Sequence, residues 1–248
     1  MSTELAVVGL GRIGYGEALG VQRALAQSRI DKTIDRDLLL LCEHPPVVTL
    51  GRGFRPGSLP VPREFLEAKG LEVFEIDRGG DVTFHGPGQL VGYPIFDLTE
   101  HRADLHWFLR RLEDALVGSL AELGVAGERR EQYTGVWTAG RKIASIGIHV
   151  KQWVTWHGFA LNVTTDLSYF DLIVPCGIPD VVMTSVQKEL QERSPRDLWN
   201  RALDSVIIGF SETFGQRPQA TALDSLLDPG AVPSVAQPSS QGRNPFVP

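Results

Sequence analysis

The sequence predicts an α/β protein of the α+β type, with a mixed, mostly antiparallel sheet and helices packed on it. Short β-rich runs bounded by glycine and proline are many, whereas clear helical patterns are few and long. These helical patterns do not alternate with single strands, as regular βαβ units would. Apolar residues make up 42% of the 248 residues and charged residues 22%, so one core can be built.

The amino-terminal half predicts several strands and one long helix. Residues 5–8 read LAVV, which is typical of a short strand, and apolar residues recur at helical spacing over 15–29. The run at 37–53, DLLLLCEHPPVVTLGRG, is rich in β-formers but is interrupted by Pro45–Pro46. It therefore predicts two strands around a bend. Residues 71–98 predict a strand, a glycine-rich loop and another strand.

The carboxyl-terminal half contains the two strongest helical patterns. Residues 101–123 keep one apolar face built mainly of leucine, and Gly124 is a typical stop signal. Residues 132–150 predict a hairpin that turns at Ala139–Gly140. A second helix is predicted to open at Ser194–Pro195, with serine as the cap, and to run to Gly215.

Domain organisation and location follow from composition. The segment 229–248 is rich in Pro, Ser and Gln, so we expect one catalytic domain over residues 1–228 followed by a flexible tail. The net charge is −6 and no basic run occurs, which argues against nucleic-acid binding. No stretch approaches the ~20 apolar residues of a membrane span, and the first residues lack a signal-peptide pattern. We expect a cytoplasmic protein that does not bind membranes.

The segment GLGRIG, residues 9–14, has the glycine spacing of dinucleotide-binding loops. That fold also requires an acidic residue at the end of the next strand, ~20 residues on, to bind the ribose. Here Asp31, Asp35 and Asp37 come before the next strand. We therefore interpret the glycines as a strand-to-helix turn and predict no nucleotide cofactor.

The histidines do not predict a metal site. His101 and His106 are five residues apart, which places them on different helix faces, and no HExxH motif occurs. His149 and His157 fall on separate strand segments. We expect neither a metal nor another cofactor.

The two cysteines occupy different contexts. Cys42 ends the apolar run LLLLC and is expected to be a small core residue. Cys176 lies between Pro175 and Gly177, which indicates a bend that can present a thiol to solvent or to a cleft. An unperturbed thiol has a pKa of ~8.5, so a nucleophilic cysteine needs a neighbouring base or cation. His85, in the glycine loop RGGDVTFHGPGQ, is one candidate.

Lys142 is the other candidate partner of the thiol. In KIASIGIHV, strict strand alternation places Lys142 on the same face as Ala144, Ile146 and Ile148. A charge is costly in that apolar row, and a lysine facing a partly dry pocket can exchange protons near neutrality. The alternative is a strand-end lysine whose ammonium extends to water.

Five segments, in order along the chain, resemble the signatures of the lipoyl (octanoyl) transferase family. They are EHPPVVTLGR at 43–52, RGGDVTFHGPGQLVGYPIFDL at 78–98, GRKIASIGIHV at 140–150, HGFALNV at 157–163 and PCGI at 175–178. The resemblance covers about residues 15–187. It implies the α/β fold shared with lipoate ligases and biotin protein ligases.

The resemblance also implies an activity and a site. Octanoyl groups would pass from acyl carrier protein to a lysine of lipoyl domains, in 2-oxoacid dehydrogenase complexes or the glycine cleavage H protein, through a monomeric enzyme. Cys176 matches the acyl-thioester nucleophile and Lys142 its acid/base partner. The matching substrate-binding residues are Arg78, Gly79, Gly80, Asp81, Val82, Thr83, Phe84, His85, Ser145, Ile146, Gly147, Gly158, Phe159 and Ala160.

Two residues depart from the family pattern, and three other functions remain open. Family members often carry Gln and Tyr where Asp81 and Phe84 stand, which leaves the role of the side chain at position 84 open. An ATP-dependent lipoate or biotin ligase would need an adenylate site and no nucleophilic cysteine. A non-catalytic acyl-binding protein would form no covalent adduct, and a cysteine hydrolase would use water as acceptor.

Overall fold

A computed structural model describes residues 3–191 and 195–227. The described strands and helices, in chain order, are β1 (Glu4–Arg12), α1 (Tyr15–Ile30), β2 (Asp37–Glu43), β3 (Val47–Leu50), α2 (Arg63–Ala68), β4 (Glu72–Glu75), β5 (Val82–His85), β6 (Gln89–Ile95), α3 (Leu105–Glu122), β7 (Glu128–Arg130), β8 (Tyr133–Thr138), β9 (Arg141–Lys151), β10 (Val154–Asn162), α4 (Val186–Leu190), α5 (Leu198–Phe214) and β11 (Arg217–Ala220). The tail predicted at 229–248 lies outside the described residues.

Eight strands form a mixed sheet in the order β11-β1-β2-β6-β10-β9-β8-β7, and β4-β3-β5 form a second, smaller sheet. In the large sheet β1 runs parallel to β2 and β11, and every other neighbouring pair is antiparallel. The predicted fold class is confirmed. The division into two sheets was not predicted. It occurs where Pro45–Pro46 break the β2–β3 run, and the chain leaves the large sheet there.

The large sheet is covered on both faces. Leu39 and Leu41 of β2 pack with α3 and α5, whereas Leu38 and Leu40 pack with α1. This explains why β2 reads as a continuous apolar run rather than as an alternating one. The close crossing of α3 and α5 requires Gly209, because a Cβ there would lie 2.4 Å from a main-chain oxygen of α3.

Element boundaries differ from the sequence predictions at the two long helices. α3 begins at Leu105 and not at residue 101, because the Asp104 side chain accepts a hydrogen bond from Trp107 N and caps the helix. α5 begins at Leu198, after a turn in which Leu198 N donates to Pro195 O. Ser194, the predicted cap, lies outside the described residues.

The glycine segment 9–14 connects a strand to a helix, as predicted. Gly9 and Gly11 belong to β1, and α1 begins directly after Gly14. The hairpin turn at Ala139–Gly140 is also confirmed, since both residues adopt positive φ between β8 and β9. Within 3–191 and 195–227, no helix has the length and apolar character needed to cross a membrane.

Candidate active site

Cys176 lies in a one-turn 3₁₀ segment, Pro175–Gly177, between β10 and α4. Its backbone is left-handed, with φ 57° and ψ 18°, and Gly177 follows with φ 65°. A non-glycine residue in this region costs about 1–2 kcal/mol. The Gly177 amide donates to Val174 O and the Ile178 amide to Pro175 O, so these amides are already used within the turn. They are therefore not free to bind an oxyanion.

Lys142, the first inward-facing residue of β9, reaches the thiol of Cys176. Its Nζ lies 3.2 Å from Cys176 Sγ and 3.4 Å from Thr134 O, and it sits 4.9 Å from the centre of the Trp137 ring. Lys142 is only 1% exposed, so its ammonium does not extend to water. The sulfur, the carbonyl and the aromatic face are the partners that a buried cation needs.

A β-bulge decides which side chains of β9 face Cys176. The pairing of β9 with β8 shifts register around Ile143, so that β9 carries one extra residue there. Strict alternation would place Lys142 and Ser145 on opposite faces. Instead Ser145 Oγ also approaches Cys176, at 3.8 Å from Sγ. The prediction that Lys142 and Ala144 lie on the same face of β9 was therefore wrong. It assumed strict alternation, and the extra residue of the bulge breaks that alternation.

The electrostatic environment favours the Cys176 thiolate. Burial alone raises the pKa of this thiol, but the charge and hydrogen bond of Lys142, the charge of Arg78 and the Ser145 hydroxyl outweigh that effect and lower it. Cys42 is the opposite case. It is 3% exposed in the core, and burial raises the pKa of its thiol far above the usual range. Only Cys176 thus has the features of a reactive thiol.

Arg78 supplies a second positive charge beside the thiol. Its guanidinium is buried and donates to Thr49 O at 2.8 Å and to Gly79 O at 3.0 Å. It makes no ion pair within 3–191 and 195–227. Desolvation lowers the pKa of Arg78, although a guanidinium stays charged in proteins. A buried cation with no carboxylate in ion-pair contact is suited to a negative charge that forms during a reaction.

The thiol opens into a cavity of about 370 Å³ that is mainly apolar. Twelve of the fourteen residues expected to bind substrate line it: Arg78, Gly79, Gly80, Asp81, Thr83, His85, Ser145, Ile146, Gly147, Gly158, Phe159 and Ala160. The glycines keep space open. A Cβ on Gly147 would lie 2.7 Å from Gly79 O.

Val82 and Phe84 do not line the cavity. β5 alternates, so Thr83 and His85 face the cavity while Val82 and Phe84 enter the core of the small sheet. The Phe84 ring stacks on Tyr169 with centroids 4.6 Å apart. A phenylalanine at this position therefore removes no polar group from the cavity.

Burial keeps His85 neutral, and Gln89 orients its ring. The Gln89 amide donates to Phe84 O and Asn162 Oδ1, so its Oε1 accepts from His85 Nδ1 at 2.8 Å. Burial lowers the pKa of His85 to about 3. Nε2 of His85 is thus unprotonated and can accept a hydrogen bond. Lys142 is hydrogen-bonded to Cys176 Sγ, whereas His85 is not.

Sequence reasoning missed other parts of this site. Tyr15, Tyr93 and His157 line the cavity although they fall in separate segments. Glu113 of α3 is fully buried, and its Oε1 accepts from Gly135 N at 3.0 Å. The sequence does hold one signal that could have identified Glu113, because this acidic residue lies next to the apolar face of α3. The described residues contain no cluster of three or more His, Cys, Asp or Glu that is arranged to hold a metal ion.

Comparisons with known proteins identify the family of this chain. The model of the lipoyl protein ligase A/B catalytic domain matches residues 14–207. Octanoyltransferase from Gloeobacter violaceus is 45% identical over 217 residues, covering 88% of this chain and 93% of that protein. Octanoyltransferase from Rubrobacter xylanophilus is 48% identical over 207 residues, covering 83% and 91%.

Solved structures give the same fold at low sequence identity. Lipoate-protein ligase A bound with ATP superposes with a TM-score of 0.71 at 18% identity, covering 91% of this chain and 92% of that one. Putative lipoate protein ligase Ta0514 from T. acidophilum with bound lipoic acid gives 0.72 at 19% identity, with the same coverage. Because the family model covers most of the chain and the octanoyltransferases match nearly all of it, this chain belongs to the lipoyl protein ligase A/B catalytic-domain family, alongside the octanoyltransferases.

Proposed function

We propose that this protein transfers an octanoyl group from acyl carrier protein to a lysine of a lipoyl domain, through a thioester on Cys176. The observation that carries the proposal is the 3.2 Å approach of Lys142 Nζ to Cys176 Sγ at an apolar cavity. The names of the relatives supply the acyl group, and the family resemblance supplies the carrier and the acceptor.

The first half-reaction forms the acyl-enzyme. The Cys176 thiolate attacks the thioester carbonyl, and a tetrahedral intermediate with a negative oxygen results. As it collapses, the carbon–sulfur bond to the carrier breaks and the Lys142 ammonium gives a proton to the departing carrier thiolate. The octanoyl group is then a thioester of Cys176, and Lys142 is neutral. Before the collapse, the positive charge of Arg78 stabilises the oxyanion of the tetrahedral intermediate.

The second half-reaction uses the neutral Lys142. The amine of the target lysine attacks the Cys176 thioester while Lys142 removes its proton. The carbon–sulfur bond breaks, Cys176 leaves as a thiolate paired with the Lys142 ammonium, and an amide is formed. Because the donor is already activated as a thioester, the cycle needs neither ATP nor a metal.

The acyl chain would lie in the cavity that opens at Cys176. Ile146 and Phe159 offer apolar surface, while Gly147 and Gly158 leave the width that a chain requires. Burial of the chain would contribute about 0.8 kcal/mol per methylene, so chain length affects binding strongly. The twelve lining residues of the predicted set, without Val82 and Phe84, are the proposed substrate-binding residues.

Intact-protein mass spectrometry after mixing with octanoyl carrier protein alone tests the proposal. We expect one octanoyl adduct that hydroxylamine removes, that Cys176→Ala abolishes and that Cys42→Ala preserves. Adding a lipoyl domain without ATP should transfer the group to that domain. An adduct that survives Cys176→Ala would contradict the proposed nucleophile.

The same assay separates the competing functions. An ATP-dependent ligase would modify the lipoyl domain from free octanoate and ATP and would form no adduct with the carrier thioester. A non-catalytic acyl-binding protein would bind the donor without an adduct. A hydrolase would release octanoate as fast in the absence of the lipoyl domain as in its presence.

A further inference from the structure

The carboxylate of Asp81, which lines the cavity, accepts hydrogen bonds from three groups of the protein. Its Oδ2 accepts from Ser58 Oγ at 2.6 Å, and its Oδ1 accepts from Val82 N at 2.8 Å and from Arg55 N at 3.3 Å. Asp81 is 7% exposed and Ser58 is 5% exposed. Hydrogen bonds to a carboxylate are about twice as strong as those between neutral groups, so these contacts fix the side chain.

Ser58 joins this carboxylate to the Cys176 loop. Ser58 ends a one-turn 3₁₀ segment, Pro56–Ser58, and its carbonyl accepts from Val174 N at 2.8 Å. Asp81 also touches the loop directly, because a Cβ on Gly177 would lie 2.4 Å from Asp81 Oδ2. The loop that carries the thiol is therefore contacted at two points: Ser58 binds Val174, and Asp81 packs against Gly177.

The backbone of the Cys176 loop requires such support. Cys176 and Gly177 are two consecutive residues in the left-handed region, and only the second is a glycine. A strained non-glycine residue persists only where the surrounding structure holds it. If the loop relaxed, Cys176 Sγ would move away from Lys142 Nζ, which is buried between Thr134 and Trp137 and cannot follow.

We propose that Asp81, acting through Ser58, is a positioning residue that keeps Cys176 left-handed and its thiol within reach of Lys142. This gives Asp81 a second role in addition to lining the cavity, and the second role does not depend on the acyl chain. The aspartate side chain has the length to accept from Ser58 Oγ and Val82 N together. The inference rests on the proposed role of Cys176 as the reactive thiol.

Alkylation of Cys176 by iodoacetamide tests the proposal without any acyl substrate. The variants are Ser58→Ala, Asp81→Ala and Asp81→Asn, and the rate constant is measured from pH 5 to pH 10. Thr99→Ala is the matched control, because Thr99 Oγ1 donates to Asp97 Oδ1 at the same 2.6 Å but Thr99 has no hydrogen bond to the Cys176 loop. Because alkylation needs no acyl donor, the assay still tests the role of Asp81 if the protein does not transfer octanoyl groups.

We expect Ser58→Ala and Asp81→Ala to slow alkylation at pH 7 by roughly 10- to 10²-fold, the scale of a misplaced reactive group. Their pH profiles should shift toward higher pH. Asp81→Asn should stay near the wild type, because its Oδ1 still accepts from Val82 N and its amide can donate to Ser58 Oγ. The double variant Ser58→Ala with Asp81→Ala should be no slower than Asp81→Ala, since both remove one connection.

Two results would overturn the proposal. One is wild-type alkylation in Ser58→Ala and Asp81→Ala together with a higher KM for the acyl donor, which would leave Asp81 a substrate contact with no positioning role. The other is an Asp81→Asn variant as slow as Asp81→Ala, which would mean that charge and not hydrogen bonding matters. If thermal unfolding shows that Asp81→Ala does not fold, Ser58→Ala alone decides, because it removes a single hydroxyl.

Discussion

Lys142 Nζ lies 3.2 Å from Cys176 Sγ although 34 residues separate them along the chain. The two residues belong to different elements: Lys142 is in β9 and Cys176 is in the loop before α4. The main chain also joins them. Lys142 N donates to Val182 O and Thr184 N donates to Lys142 O, so the segment after the Cys176 loop pairs with β9. The distance between ammonium and thiol is thereby set by backbone as well as by side chains.

Lys142→Ala should raise the pKa of Cys176, because the largest favourable charge beside the thiolate is lost. Alkylation at pH 7 should slow and its pH profile should shift to higher pH. Turnover should fall by roughly 10²-fold or more, the usual scale for a positioned acid or base. Stopped-flow alkylation and steady-state transfer assays measure the two effects.

Lys142→Arg separates the two roles of the ammonium. A guanidinium can pair with the thiolate but cannot release a proton near neutral pH. We expect acyl-enzyme formation to persist in part while transfer to the amine fails. Full turnover in Lys142→Arg would show that no proton passes through this residue.

His85→Gln should reduce turnover by less than about tenfold and leave the pH–rate profile unchanged between pH 5 and 9. Burial lowers the pKa of His85 to about 3, so the imidazole does not titrate in this range. Glutamine can still hydrogen-bond to Gln89. Loss of both half-reactions in His85→Gln, with both retained in Lys142→Ala, would identify the histidine as the base.

Glu113→Ala should lower the reactivity of Cys176 by roughly tenfold through Lys142. Glu113 Oε1 fixes Gly135 N, and a Cβ on Gly135 would lie 3.0 Å from Lys142 Cε, so this part of β8 forms the wall of the lysine site. Glu113→Gln keeps an acceptor and should restore most of the reactivity. Asp114→Asn is the control, because Asp114 pairs only with exposed or half-exposed arginines. Equal rates in all three variants would exclude this role.

Arg52→Glu with Arg55→Glu should raise the KM for the acidic carrier by about tenfold at low salt and less at physiological salt. Both arginines are exposed, and neither makes an ion pair within the described part of the chain. Arg141 is not included in this surface, because it forms a two-point pair with Glu189 at 3.0 and 2.7 Å. Arg217→Glu, on the edge strand β11, is the control. A KM that is independent of salt in the wild type would rule out this docking surface.

Gly209→Ala should destabilise the fold by about 1–3 kcal/mol, because its Cβ would lie 2.4 Å from Ala115 O and Ser119 Oγ. Gly118, in the middle of α3, has open space at the same position. Gly118→Ala should therefore stabilise by about 0.4–1 kcal/mol. Urea unfolding of the two variants measures both free energies, and equal effects would contradict the assigned helix crossing.

The sequence by itself determined the fold class and most of the strand and helix order, and it singled out Cys176 as a candidate thiol with Lys142 or His85 as its candidate partner. Periodicity carries the first two, because apolar spacing reports which face of each element is buried. The Pro–Gly bend around Cys176 and the apolar run before Cys42 were enough to separate a presented thiol from a core residue.

Only the tertiary structure decided what surrounds the pair. The bulge at Ile143 turns Lys142 and Ser145 to the same side, and a single extra residue in one strand leaves no trace in an alternating pattern. The links from Asp81 through Ser58 to Val174, and from Glu113 to Gly135, join residues from separate elements. Such contacts depend on how elements pack, and local propensity holds no information about which distant partner a buried polar group will meet.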